Sequence, residues 1–356
     1  MCDLLKRAGG NRARRPSAWL LILASFSCLL AGCASSTLID TVVPPSTAPG
    51  AVSEFILPTI GGNPEGIAVA PDKQSIWFTE YNKGKIGKVS LDGSAFKEYP
   101  FLAPNTAAFA LATGPDGNIW YTEQNMGKVG YITPQGKFKD FPLGNTTARP
   151  LGIIVGPDNN LWFTESAANA IGSSTPTGNI TTYKIPNPQS IPYMIAAGPA
   201  ESHTIWFTDP GTNSIGRLDI TTGTIKEFTI PTANSQPFGI ALGADGNMWF
   251  AEQSAIGCIN PEGKGCIAPA GKISEFPTTA SGATVRGITK GPDGNMWFVE
   301  YYGNTISRIT PQGKLTDIEM PRDGAHPSQI VTGPDNALWF TMTTANRVAR
   351  LFPPQG

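Results

Sequence analysis

Six carboxylates recur at one place in a repeated pattern. Each closes a Trp-aromatic-x-acid run: Glu80, Glu123, Glu165, Asp209, Glu252 and Glu300, with Met342 in the seventh run. A ring of hard oxygen ligands could hold a cation. The plainer reading is that each carboxylate accepts backbone N–H bonds from the adjoining turn. Recurrence favours that architectural role, because a functional group is expected where repeats differ. Asp72, Asp116, Asp158, Asp245, Asp293 and Asp335 recur likewise and read as turn formers.

A second set varies from repeat to repeat. Glu65, Phe109, Leu151, Tyr193, Phe238, Arg286 and Ser328 begin the first apolar segment of each repeat. Two residues earlier stand Asn63, Ala107, Arg149, Ile191, Gln236, Thr284 and His326. Arginine recognises carboxylates bidentately and stacks on aromatic faces. The set therefore suits a ligand with an anionic or strongly polar group and a flat or apolar part. Its candidate binding residues are Glu65, Phe109, Arg149, Tyr193, Phe238, Arg286 and His326, with Arg149 and Arg286 expected to share one opening with Tyr193 and Phe238. Tyr81, Tyr301 and Tyr302 are expected to rim the same face. The plainer alternative is a solvated loop face with packing aromatics.

The elements that must place these residues are short strands. Gly and Pro number 40 and 32 in 356 residues, an excess of turn formers that argues against a helical bundle. Tryptophans 77, 120, 162, 206, 249, 297 and 339 stand 43, 42, 44, 43, 48 and 42 residues apart. A period in the forties with four strand-sized pieces per unit is the signature of a propeller. In the sixth unit the pieces are 286–290, 296–300, 305–310 and 314–318, with Gly291-Pro292-Asp293-Gly294-Asn295 as the first turn. Outer-strand pieces also number seven, but the first, 52–58, precedes every Trp unit, and none follows Leu351-Phe352. Strand 52–58 is therefore expected to pair with 347–352 and close the ring, which protects an open edge. The expected fold is all-β: a seven-bladed β-propeller of four-stranded blades over 52–356, with the variable residues at the mouth of its central channel. Lys88, Arg217, Arg308 and Arg350 on the third strands read as blade decoration, and His203 as a surface residue on the opposite face.

Several function classes are excluded. Charged residues are 15% of the chain and the net charge is −1, so there is no basic footprint for nucleic acid. Two histidines cannot build a His-rich metal cluster. A Ser-His-Asp arrangement, a Walker loop and a CxxC pair are absent.

The repeat Pro-x-Gly-Ile…Gly-Pro-Asp-Gly-Asn-x-Trp-Phe-x-Glu…Ile-Gly-x-Ile-Thr-Pro-x-Gly-Lys resembles that of the streptogramin B lyase (virginiamycin B lyase) family, across all seven repeats. The resemblance implies a propeller carrying a Mg²⁺-assisted elimination that opens a cyclic depsipeptide at its ester. In that family the base is a His after Pro in the last repeat, and a second His one repeat earlier helps hold the substrate. Two Glu hold the metal, one two residues before the base and one ending the last Trp-Phe motif. At those positions this chain has Ser328, Arg286, His326 and Met342. Ser328 does not titrate near neutrality, and Met342 is a poor ligand for a hard cation. No catalytic residue and no cofactor are therefore assigned; Mg²⁺ enters only if lyase activity survives.

The chain opens with Lys6, Arg7, Arg12, Arg14 and Arg15, then an apolar run from Ala18 to Ala31 ending in Leu30-Ala31-Gly32-Cys33. These are the charged and apolar regions of an export signal, and the end resembles a bacterial lipobox. The resemblance implies cleavage after residue 32 and lipidation of Cys33; the alternative is an ordinary signal peptide with an incidental cysteine. Residues 1–32 read as a lipoprotein signal peptide and 33–51 as a lipid-anchored flexible tether. Cys258 and Cys266 are the other mature thiols. In an oxidising compartment they are expected to form a disulfide worth about 2.5 kcal/mol, the alternative being two reduced, buried thiols.

These observations describe an exported lipoprotein of the bacterial cell envelope, held to the membrane through Cys33 and otherwise monomeric. The favoured function is a non-catalytic module binding a small molecule, peptide or glycan at the channel mouth. The alternatives are a Mg²⁺-dependent carbon–oxygen lyase on streptogramin B-type depsipeptides and an envelope scaffold that docks another protein.

Overall fold

The computed structural model describes residues 46–103, 106–260, 271–279 and 282–354. The signal peptide, Cys33 and Cys266 lie outside these residues. Seven four-stranded antiparallel sheets follow one another. Six are built from consecutive strands, spanning 64–100, 108–142, 150–184, 195–229, 240–277 and 285–319. The seventh joins the last three strands, 327–351, to Val52–Ile56.

The blade tryptophans explain the period. All seven are at most 1% exposed and lie between neighbouring blades. In five blades the indole N–H donates to the aspartate of the turn before it, as from Trp162 to Asp158 and Trp297 to Asp293, both at 2.9 Å. The recurrent aspartates thus do more than shape turns: they satisfy a buried donor that would otherwise be costly. An outer-strand aromatic packs on the tryptophan in six blades, as Tyr99 does on Trp77 at 5.5 Å.

The ring closes as expected. Val52–Ile56 pairs antiparallel with Arg347–Leu351, Phe55 opposite Val348. Phe55 stacks on Trp339 at 5.3 Å, the place an outer-strand aromatic takes in other blades. The strand ends at Ile56 rather than residue 58; Leu57 N–H still donates to Asn346 O at 3.1 Å. Of the segment assigned to a tether, the described residues 46–51 are tied to the last blade. Gly50 N–H donates to Phe352 O at 2.8 Å, and Ser46 N–H to Ser53 Oγ at 2.9 Å. Cys258 is fully buried on the strand Ala255–Ile259.

Blades are linked near the mouth by a relay of threonines. Thr122 accepts from Ala110 N–H at 3.2 Å in its own blade and donates to Leu151 O of the next blade at 2.7 Å. Thr79, Thr164, Thr208 and Thr341 repeat the arrangement. The link from Thr341 to Glu65 O, at 2.9 Å, crosses the closure seam. Inner strands come so close that a Cβ at Gly66 would lie 2.5 Å from Phe109 O; the absence of a side chain there is a packing requirement.

Candidate functional site

The mouth residues are placed by an irregularity. In five blades the pairing of first and second strands shifts register directly after the first residue, as between Pro64 and Ile67 or Val285 and Ile288. A bulge re-aims a side chain and bends the strand, and Glu65, Phe109, Leu151, Arg286 and Ser328 all sit in one. In the fourth and fifth blades the inner strands are shorter, beginning at Ile195 and Ile240, so Tyr193 and Phe238 precede them instead of opening them.

At the centre of the group Ser328 Oγ donates to Glu65 Oε2 at 2.6 Å. Arg286 donates to Ser328 Oγ at 3.3 Å, and its guanidinium lies 3.9 Å from Glu65 Oε1. The guanidinium sits between two aromatic faces, 3.7 Å from the ring centre of Tyr301 and 5.3 Å from that of Phe238. Rings continue from both sides. Phe238 meets Tyr193 at 4.6 Å, Tyr193 meets Phe109 at 5.9 Å, and Phe109 meets Tyr81 at 6.3 Å. On the other side Tyr301 stacks on His326 at 4.6 Å. The result is an arc of aromatic faces around the mouth, interrupted by one guanidinium. Arg286 Nε is buried without a hydrogen-bond partner.

Burial dominates the electrostatics. It raises the Glu65 carboxyl above its usual range, against the lowering effects of the Ser328 hydrogen bond and the Arg286 charge. The Tyr193 phenol is pushed up to about 12, again chiefly by desolvation, with Arg286 opposing. The arc is thus an apolar surface with one cation held beside a carboxyl.

Arg149 and Arg286 line two adjoining cavities. Arg149 lines a cavity of about 410 Å³ with Gln124, Leu151 and Ile191. Arg286 lines an adjoining one of about 330 Å³ with Phe238, Gln253 and Thr284. Tyr193, Pro210 and Gln236 line both. The two cavities thus adjoin through shared residues of the fourth and fifth blades, and each carries one guanidinium.

The recurrent acids behave less uniformly than backbone caps. Asp209 accepts from the N–H groups of Ile191, Gly211 and Thr212 at 2.8, 3.0 and 3.3 Å. Glu165 and Glu300 accept instead from Thr182 at 3.0 Å and Thr305 at 2.8 Å. Glu80 and Glu252 are buried with neither oxygen bonded while ionised. Desolvation first, then an outer-strand carboxylate (Glu98 or Glu275), pushes them up to about 7 and about 8.

The positions that would hold a divalent metal do not fit one. Met342 is fully buried in an apolar cluster with Trp297 and Phe340. The His326 ring bonds through Nδ1 to Thr344 Oγ1 at 2.8 Å and is stacked on Tyr301. Among the described residues no group of three His, Cys, Asp or Glu side chains could hold an ion.

Two contributors escaped the sequence reading. The threonine relay fixes the carbonyls of mouth residues; its signal is the Thr at the third place of five of the seven Trp-aromatic runs. Gln124 accepts from the Tyr81 hydroxyl at 3.1 Å and ties the arc's end to the second blade; nothing local in the sequence marks it.

A profile described as the Virginiamycin B lyase family matches residues 40–260 and 260–354. The solved structure of virginiamycin B lyase from Staphylococcus aureus is 34% identical with a TM-score of 0.77, covering 84% of this chain and 98% of that one. A catalytically inactive form of that enzyme, with quinupristin, is 33% identical with a TM-score of 0.77 over the same shares. A streptogramin B lyase structure is 31% identical with a TM-score of 0.76, covering 84% of this chain and 96% of its own. No protein with a curated description matches the sequence.

Proposed function

The chain belongs to the virginiamycin B lyase family, and we propose that within it this protein is a non-catalytic module that binds a small molecule, peptide or glycan at the channel mouth. The observation that carries this reading is Arg286 held between Tyr301 and Phe238 with a buried, unpartnered Nε–H, inside an arc of aromatic faces. A few polar anchors in an apolar concavity are the usual design of a small-molecule site. Ser328, where the family resemblance implies the base, is not a neutral-pH base, and Met342, where it implies a metal ligand, is not a hard one.

The Mg²⁺-dependent lyase remains the alternative that the relatives suggest, and a scaffold that docks another envelope protein is the third reading. Incubation with quinupristin and Mg²⁺ separates the first two. An elimination product is an isomer of its substrate, so chromatographic retention and fragmentation are the readout. We expect the cyclic compound to persist; turnover that depends on Mg²⁺ overturns the non-catalytic reading.

Export and anchoring through lipid on Cys33, and a disulfide between Cys258 and Cys266, complete the proposal. Their support is the sequence of residues 1–33 and the spacing of the two thiols. Cys33→Ser is expected to move the protein from the membrane to the soluble exported fraction, and unchanged partition rejects the anchor.

A further inference from the structure

The fourth blade departs from its neighbours on the face opposite the mouth. In the sixth and seventh blades an arginine in register with the blade tryptophan lies over the indole and pairs with the turn aspartate. Arg308 meets Asp293 at 3.5 Å and Arg350 meets Asp335 at 3.6 Å. Arg217 has the same register opposite Trp206 and lies over it, 6.0 Å from the ring centre. Its turn, Gly198-Pro199-Ala200-Glu201-Ser202-His203-Thr204, contains no aspartate. Trp206 donates instead to Thr204 Oγ1 at 3.1 Å. Among the described residues Arg217 forms no ion pair; it acts at longer range on the half-buried carboxylate of Asp219.

Beside this guanidinium lies a cavity of about 300 Å³, lined by Arg217, Trp206, Ser202, Thr204, Glu201 and residues of the fifth blade such as Met248. We propose that this cavity is a second ligand site, for a small N-acyl amino acid or similar compound. Its carboxylate takes the place against Arg217 that the turn aspartate takes in the sixth and seventh blades. A planar carboxylate matches the guanidinium fork. Glu201 at the rim disfavours a more highly charged anion such as phosphate. Ser202 Oγ donates to Pro199 O at 2.6 Å and lies 2.6 Å from Thr204 Oγ1, which accepts from Trp206. That chain uses the hydroxyl protons and leaves oxygen lone pairs, so an N–H near the carboxylate completes the match.

The site is independent of the channel mouth, and its test uses a defined probe. N-acetylglycine is titrated into the full propeller while the Trp206 indole and Arg217 Nε–H resonances are followed, with N-acetylglycinamide as the neutral control. Saturable shifts with the acid, and much weaker ones with the amide, are expected. Arg217→Met is expected to weaken binding about ten-fold or more, while Arg308→Met and Arg286→Ala leave it unchanged. Equal response to acid and amide, or equal affinity in Arg217→Met, overturns the site. Should Arg217→Met fail to fold, Glu201→Gln serves: removal of the rim charge tightens acid binding, and unchanged affinity rejects the placement.

Discussion

Ser328 Oγ donates its hydrogen bond to Glu65 Oε2 from the seventh blade to the first, across 263 positions of sequence. The contact sits at the centre of the mouth. It anchors a carboxyl whose other neighbour is the Arg286 guanidinium of the sixth blade. Three blades thus meet in one polar cluster. Ser328→Ala removes the closest donor from a mostly buried carboxyl, and a loss of about 1–3 kcal/mol is expected. Urea unfolding measures it; a midpoint equal to the parent's shows that the bond adds nothing.

Arg286 is expected to dominate recognition at the mouth. With a ligand identified by thermal-shift screening, Arg286→Ala weakens binding by about 1.5–3 kcal/mol through loss of a charge-assisted hydrogen bond. Arg286→Lys keeps the charge but not the planar group held between Tyr301 and Phe238, and falls between the two. His203→Ala, on the opposite face, leaves affinity unchanged. Calorimetry decides, and equal affinities for the parent and Arg286→Ala move the site elsewhere.

Stability is expected to fall as pH rises from about 4.5 to about 8. The Glu252 carboxyl is raised to about 8, by burial first and by Glu275 next, and Glu80 and Glu123 are raised to about 7. A raised carboxyl keeps its proton in the folded chain at a pH where the unfolded chain has released it. The folded state is therefore favoured at low pH, and that advantage is lost as pH climbs through the folded value. Melting temperatures from pH 5 to 9 should show the decline, with a shallower slope for Glu252→Gln. Parallel slopes would count against the carboxyl pair.

The closure seam is expected to govern global stability. Phe55 is 7% exposed and stacked on Trp339, so Phe55→Ala costs about 3–5 kcal/mol. Deleting residues 52–56 opens the edge of Arg347–Leu351, with a lower melting temperature and aggregation. Thr341→Val leaves the Gln329 N–H without its acceptor and Glu65 O without its donor. It is expected to cost about 1–3 kcal/mol at unchanged shape. A truncated protein as stable and monomeric as the parent contradicts the seam.

By itself the sequence determined the architecture. The tryptophan period, the turn residues and the count of outer-strand pieces are local signals, and a first piece lying before any repeat leaves closure by Val52–Ile56 as the consistent solution. It also placed Glu65, Tyr193, Phe238, Arg286 and His326 at the mouth, because equivalent positions of a closed ring face one axis. What only the tertiary structure decided is which of them touch. Arg286 is set between Tyr301 and Phe238, Glu65 is bonded to Ser328, and Tyr193, Pro210 and Gln236 line the cavities of both Arg149 and Arg286. These relations depend on bulges, strand lengths and side-chain volumes in different blades, and repeat periodicity carries no information about them. The same holds for Glu80 and Glu252: recurrence suggested backbone caps. Their upward shift follows instead from burial beside Glu98 and Glu275, outer-strand residues that only sheet register brings alongside.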